Sequence, residues 1–209
     1  NYMADKFNNR YRISSTRLQS WDYAKNGLYF ITICTKNHDH YFGEIIDNEM
    51  QLSQIGNIVE SEWIKTFEMR RDMNLRMDEY VVMPNHFHAT IIIGENRYNT
   101  HCGNAVFCNN AIPRRDAMHC VSTTITAQIT FPITQTKLNQ FGPQSKNLSS
   151  VIRGFKIGVT KNARKLDPDF EWQSRFYDHI IRDSKSLKKI QNYIVNNPLQ
   201  WKDDKYYKL

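Results

Sequence analysis

Apolar positions along the chain follow two different periods. β-Branched and aromatic residues concentrate in four short blocks, each predicted to be a strand: residues 27–36, 41–46, 77–83 and 86–94. Apolar residues recur at helical spacing in three longer blocks, which are predicted to be helices: residues 54–70, 145–166 and 184–197. Ser184 is a good N-cap residue for the last helix. Pro198 marks its end, because the residue before a proline disfavours helical geometry.

The order of these elements, with paired strands between helices, predicts the fold class. It favours an α+β sandwich in which helices pack on a mainly antiparallel sheet, and the ferredoxin-like split βαβ fold fits it best. We expect a basic arm over residues 1–26 and a single folded domain over residues 27–209. Residues 95–144 are rich in Asn, Thr and Gln and have no long helical period, so we expect an irregular insertion there.

Composition narrows the class of partner. The 209 residues carry 28 Lys and Arg against 21 Asp and Glu, a net charge of +7, which indicates a polyanion or simply a well-solvated basic surface. No apolar run approaches the roughly 20 residues that a membrane span needs, and the first residues lack the apolar stretch of a signal peptide. We therefore expect a cytoplasmic protein without a membrane partner. The four cysteines include no Cys-x-x-Cys pair and are expected to be free thiols.

Two histidines could hold a metal ion. His86 and His88 lie two residues apart on a predicted strand, so both imidazoles point to the same face, about 6.6 Å apart along the chain. Two neutral imidazoles can converge on one cation. The spacing alone favours two surface histidines over a metal site, and a metal site would need a third ligand.

The last predicted helix offers a third ligand. Tyr193 and Asn197 are one helical turn apart, on one edge of the apolar stripe that Leu187, Ile190 and Ile194 form. Their hydroxyl and amide groups could reach the groove that holds the histidines. By pattern alone, a half-buried tyrosine beside an asparagine near the helix end is the better explanation of this spacing.

The run YVVMPNHFH at 80–88 resembles the HUH motif of the single-tyrosine transposases, in which a bulky apolar residue separates two histidines. More narrowly, the chain resembles the insertion-sequence-200-like transposases and their REP-associated tyrosine transposase relatives. Three further blocks agree with this resemblance: residues 29–35, 172–179 and 193–198. Several blocks in family-like order are more specific than His-x-His alone.

The resemblance implies a site and an activity. Tyr193 would be the nucleophile and Asn197 the third metal ligand beside His86 and His88, with Tyr177 as the rival nucleophile. The cofactor would be Mg²⁺ or Mn²⁺. The enzyme would cut single-stranded, hairpin-bearing DNA through a 5′-phosphotyrosine and rejoin it, as in DNA transposition or the mobilisation of REP-type repeats.

Nine basic residues are predicted to contact the DNA backbone: Arg10, Arg12, Arg17, Arg153, Lys156, Lys161, Arg164, Arg175 and Arg182. Members of the family act as dimers or as monomers, so a homodimer is one expectation. Two alternatives stay open, a non-catalytic nucleic-acid-binding protein with the same fold and an unrelated metal hydrolase that does not use Tyr193.

Overall fold

The computed structural model describes residues 6–7, 10–11, 18, 21–99 and 145–207. Eight strands lie in these ranges: β1 Lys6–Phe7, β2 Arg10–Tyr11, β3 Gly27–Cys34, β4 Gly43–Ile46, β5 Glu49–Leu52, β6 Leu75–Met83, β7 His86–Ile93 and β8 Tyr177–Ile181. The α-helices are α1 Gln54–Glu68, α2 Leu148–Ala163 and α3 Ser184–Asn196. Short 3₁₀ helices occupy Lys36–His38, Arg71–Met73 and Trp201–Asp203.

The central sheet has the strand order β6-β7-β3-β8, and all neighbours in it are antiparallel. Helix α1 connects β3 to β6 across β7, and α2 connects β7 to β8 across β3. These two split βαβ units confirm the predicted ferredoxin-like α+β sandwich. Strands β1 and β2, and β4 and β5, form two separate hairpins.

One face of the sheet packs against α1 and α2. Phe87 points into this layer, with its ring 5.0 Å from Trp63 of α1 and 5.4 Å from Phe155 of α2. The alternate residues of β3 and β7 join them in one buried apolar cluster: Tyr29, Ile31, Ile33, Ala89, Ile91 and Ile93. This is the main core of the part of the chain that the structure describes.

The opposite face of the sheet packs against α3. Here the buried apolar cluster is small, with Phe30 of β3, Ile181 of β8 and Ile194 of α3. Ile194 is the one fully buried residue of α3, whereas α2 buries six. The same face also carries buried polar residues of β3 and β7, which lie beside this cluster and form part of the site described below.

Side-chain caps set the start of each helix. Ser53 accepts a hydrogen bond from the backbone of Gly56 at 3.0 Å, and Asn147 and Ser150 form a reciprocal capping box at the start of α2. The N-cap of α3 is Asp183, whose carboxylate accepts from the backbone N–H of Ser186 at 2.7 Å. The prediction of Ser184 was wrong by one residue.

The remaining differences concern strands and insertions. Strands β1, β2, β5 and β8 were not expected from the sequence, and the strand predicted over 41–46 begins at Gly43. Most of the predicted arm over 1–26 and most of the predicted insertion over 95–144 lie outside the described residues. No helix in the described part of the chain is long and apolar enough to cross a membrane.

Candidate active site

His86 and His88 lie side by side on the α3 face of the sheet. Residues alternate along β7, so the Phe87 side chain enters the helix layer and the two imidazoles point the other way. Their ring centroids are 4.5 Å apart, and the two residues are 0% and 1% exposed. The histidine pair is therefore a buried feature and not a surface one.

Asn85 fixes the orientation of the His86 ring. Its amide nitrogen donates to the backbone carbonyls of His38 at 3.1 Å and Tyr206 at 2.8 Å, which identifies the other amide atom as the oxygen. That oxygen lies 2.9 Å from Nδ1 of His86. Because an amide oxygen only accepts, Nδ1 carries the proton, and Nε2 of His86 is left with a free lone pair.

Tyr193 reaches the pair from α3. Its hydroxyl lies 3.1 Å from Nε2 of His88 and donates to the Asp204 carboxylate at 3.1 Å. A phenol has one proton, so the hydrogen bond with His88 uses a proton on the imidazole. The Thr32 hydroxyl, 2.8 Å from Nδ1 of His88, can donate to this nitrogen or accept from it. The ring can therefore carry its proton on Nδ1 instead, which frees Nε2 for a metal ion in place of the hydrogen bond with Tyr193.

Asp204 completes the site and was missed by the sequence analysis. The same carboxylate oxygen accepts from Tyr193 and, at 2.9 Å, from the amide of Asn197, and the other oxygen accepts from the Tyr206 backbone at 2.7 Å. Potential ligand atoms of His86, His88 and Asp204 all lie within 4.8 Å of one another. This group can bind a metal ion, with two nitrogen ligands and one carboxylate.

Two buried polar atoms at this position lack a hydrogen-bond partner, Nε2 of His86 and Oδ1 of Asn197. Asn197 is 1% exposed, and its amide nitrogen is committed to Asp204. An unsatisfied buried polar group destabilises a fold by about 1–3 kcal/mol. A divalent cation bound by these two atoms and the carboxylate would satisfy both, so the residues present fit a metal ion.

Burial sets the protonation states of these groups. It lowers the pKa of His88 to about 3 and holds that of His86 well below its ordinary value, and the neighbouring His88 lowers the latter further. Both rings are thus neutral, as metal ligands must be. Burial raises the pKa of Tyr193, and the negative charge of Asp204 raises it further, so this hydroxyl stays protonated at neutral pH.

Aromatic rings enclose the histidines. Phe30 stacks on His88 with centroids 5.3 Å apart, and the Tyr206 ring lies 4.7 Å from that of His86. Trp201, the first residue of the 3₁₀ helix after α3, lies 5.9 Å from His86. These rings exclude water from the pair, which strengthens every electrostatic interaction there.

Tyr177, the rival nucleophile, lies on the edge strand β8. It is 50% exposed, and its ring contacts Phe30 at 6.4 Å and the Lys205 ammonium at 5.6 Å. The hydroxyl that hydrogen-bonds to the histidine pair belongs to Tyr193. The structure therefore brings together four of the predicted residues, namely His86, His88, Tyr193 and Asn197.

The basic residues of α2 lie across the sheet from the site, because α2 packs on the Phe87 face. Arg153 and Lys161 are exposed there. Lys156 is less open to solvent: its ammonium donates to the Gln173 carbonyl at 2.6 Å, and burial lowers its pKa to about 8. Arg164 donates to the Phe170 carbonyl at 3.0 Å and lies 3.6 Å from Glu171.

The other predicted DNA contacts lie elsewhere. Arg175 and Arg182 are exposed and flank β8 on either side. The side chain of Arg10, together with Arg12 and Arg17, lies outside the described residues.

Comparison with known proteins identifies a structure of similar fold and a relative of the same family. No family model matches the chain. The solved structure of a REP-associated tyrosine transposase bound to a REP hairpin is similar in fold, with a TM-score of 0.52 and 19% identity over 90% of this chain and 74% of that one. A Haemophilus influenzae protein described as uncharacterized is 39% identical over 196 residues, which is 92% of each chain. On that identity and coverage, the chain belongs to the same protein family as this Haemophilus influenzae protein.

Proposed function

We propose that this protein is a metal-dependent tyrosine transposase, which cuts and rejoins hairpin-bearing single-stranded DNA through a 5′-phosphotyrosine. One observation carries the proposal: the Tyr193 hydroxyl lies 3.1 Å from Nε2 of His88, beside a second histidine, an amide and a carboxylate. The similarity in fold to a REP-associated tyrosine transposase is in keeping with it. The net charge of +7 suits a nucleic-acid partner.

The metal would be Mg²⁺ or Mn²⁺, held by His86, His88, Asn197 and Asp204. When bound, such an ion polarises a phosphodiester and offsets the negative charge that develops during attack. The imidazoles supply two neutral ligands, and Asn197 and Asp204 supply the oxygen ligands that both ions favour.

Tyr193 performs the covalent step. Its oxygen attacks phosphorus, an O–P bond forms, and the bond from phosphorus to the 3′ oxygen of the neighbouring nucleotide breaks. The 3′ oxygen leaves with the bonding electron pair and takes a proton from solvent water, which gives a free hydroxyl. The Tyr193 proton is already directed at Asp204, which accepts its hydrogen bond and is positioned to take the proton. A second 3′-OH reverses the step and rejoins the strand without ATP.

One chain supplies the whole site. Tyr193 contacts the histidines of its own chain, so the nucleophile and the metal ligands need no second copy. This favours a monomer that acts in cis over the alternative of a homodimer with shared sites.

The test is covalent trapping. The protein is incubated with hairpin-tailed single-stranded DNA and Mn²⁺, and the products are separated under denaturing conditions. We expect a protein–DNA adduct with the natural chain and with Tyr177→Phe, but none with Tyr193→Phe.

Each other outcome has a distinct meaning. An adduct that survives Tyr193→Phe and vanishes in Tyr177→Phe would make Tyr177 the nucleophile. Binding without an adduct under several metals and sequences would indicate a non-catalytic nucleic-acid-binding protein. Metal-dependent cleavage that neither tyrosine variant affects would indicate a metal hydrolase.

A further inference from the structure

The edge of the sheet beside the site carries an exposed aromatic ring. In the β-sheet register Tyr177 lies opposite Thr32, and Thr32 lies opposite His88, so the three residues form one row on the same face. Two strand spacings separate the ends of such a row by about 10 Å. Tyr177 thus lies on the site face, at the last strand of the sheet and beside the proposed metal ligands.

The ring of Tyr177 is supported from within the protein. It meets Phe30 edge-on at 6.4 Å, and Phe30 is 9% exposed and stacks on His88. Half of Tyr177 nevertheless remains open to solvent. Rigid aromatic rings that are held on one side and open on the other are the surfaces on which single-stranded bases stack.

A positive charge lies between this ring and the site. The Lys205 ammonium is 5.6 Å from the Tyr177 ring centroid and 4.6 Å from that of Tyr206. Tyr206 in turn packs against His86, and Lys205 directly follows Asp204 in the chain. A phosphate that approaches the histidines over β8 would therefore pass close to this ammonium.

We propose that Tyr177 and Lys205 form a binding subsite for a nucleotide that flanks the scissile phosphate. The base stacks on Tyr177, and its phosphate pairs with Lys205. This inference rests on the proposed function, because it takes the substrate to be single-stranded DNA. It gives Tyr177 a role that depends on its ring and not on its hydroxyl, in contrast to the role of a nucleophile.

The experiment measures binding without chemistry. In a Tyr193→Phe background, the affinity for a hairpin with single-stranded tails of about ten nucleotides is measured by fluorescence anisotropy. Adding Tyr177→Ala should weaken binding by roughly 5- to 150-fold, the value of one stacked base, whereas Tyr177→Phe should stay within about twofold. Thermal unfolding of each variant checks that the fold is intact.

An abasic scan identifies the base. At one tail position, removal of the base should weaken binding to the Tyr193→Phe protein by a similar factor. On that abasic DNA, the Tyr193→Phe protein and the variant that also carries Tyr177→Ala should bind with equal affinity. Losses that add at every position would overturn the subsite, and so would a Tyr177→Ala effect within about twofold.

The role of Lys205 is tested by the salt dependence of DNA binding. Lys205→Gln should reduce the slope of log affinity against log salt by about one phosphate contact, and Lys165→Gln, beyond the end of α2 on the other side of the sheet, should leave it unchanged. Equal slopes for the Lys205 variant and the parent would remove Lys205 from the subsite. The covalent assay tests the two proposals separately. If the loss from one abasic position depends on Tyr177 but no protein–DNA adduct forms, only the transposase activity is refuted. If an adduct forms but no abasic position depends on Tyr177, only the subsite is refuted.

Discussion

Both faces of the central sheet carry buried side chains, but the chemistry of these side chains differs. On one side of β7, Phe87, Ala89 and Ile91 enter an apolar layer that α1 and α2 close. On the other side, His86 and His88 lie under α3 and the segment after it. One strand therefore supplies a core residue and a site residue alternately.

The difference shows how this fold obtains a site. The helix layer is closed mainly by apolar packing, and Trp63 Nε1 is one buried atom there without a hydrogen-bond partner. The α3 face leaves polar atoms without partners, including Nε2 of His86, Oδ1 of Asn197 and the Thr90 hydroxyl. Stability should therefore come mainly from the first face and ligand binding from the second, and the predictions below test this division.

The largest effect is expected in the apolar layer. Phe87→Ala should lower the free energy of unfolding by about 3–5 kcal/mol, because it leaves a cavity between Trp63 and Phe155. His86→Ala should lower it by only about 1–2 kcal/mol, since that ring has an unpaired nitrogen. Urea denaturation measures both, and equal losses would contradict the division between the faces.

A bound metal ion should stabilise the folded protein through the α3 face of the sheet. With Mn²⁺ at about 100 times its dissociation constant, the free energy of unfolding should rise by about 2.7 kcal/mol. The rise should disappear when His86 and His88 are both replaced by alanine and should shrink with Asp204→Asn. His179→Ala, an exposed histidine on β8, is the matched control and should keep the full response. A response that survives the double replacement would place the ion elsewhere.

Low pH should destabilise the folded protein through the histidines on the α3 face. The unfolded chain titrates its histidines near 6.5, whereas burial lowers the pKa of His88 to about 3 and that of His86 well below its ordinary value. Below pH 6.5 the unfolded state takes up protons that the folded state does not, so stability falls as the pH falls. His88 alone should contribute about 1.4 kcal/mol of loss between about pH 7.5 and about pH 5.5.

Urea titrations at the two pH values measure this loss. Replacing both histidines by glutamine should flatten the dependence. An unchanged dependence in that variant would assign it to other groups.

The smallest effect concerns the attachment of α3. Asp183→Ala removes the cap at the start of this helix and should lower stability by about 1 kcal/mol. Because α3 buries only Ile194 completely, the loss should appear as faster amide exchange in α3, with α2 unchanged. Uniformly faster exchange in both helices would mean that α3 is not a separate unit.

Much of the fold followed from the sequence. Periodicity located α1, α2, α3 and three strands of the sheet, because each buries a regular apolar stripe. Strand β8 was missed: it lies at the edge, and the polar residues Tyr177, Asp178 and His179 hide its period. Strand β5 was missed because it is a hairpin arm of only four residues, too short to show a clear alternation.

The site followed only in part. The histidine pair and the Tyr193–Asn197 spacing are local patterns, so the sequence could suggest them. Asp204 reaches the site only because the chain turns back after Pro198, and no periodicity distinguishes it from Asp203 beside it. The burial that lowers the pKa of both histidines is likewise a property of the packed structure.

The unpaired atoms of His86 and Asn197 also have a consequence for the evolution of this sequence. Apolar residues of similar size at these two positions would relieve the buried polar groups, so selection for folding alone should remove them early. A lineage that no longer needs the chemistry should therefore gain stability as its site decays. If the proposed activity is correct, relatives that keep both residues should retain it, and relatives with leucine or phenylalanine at these positions should have lost it.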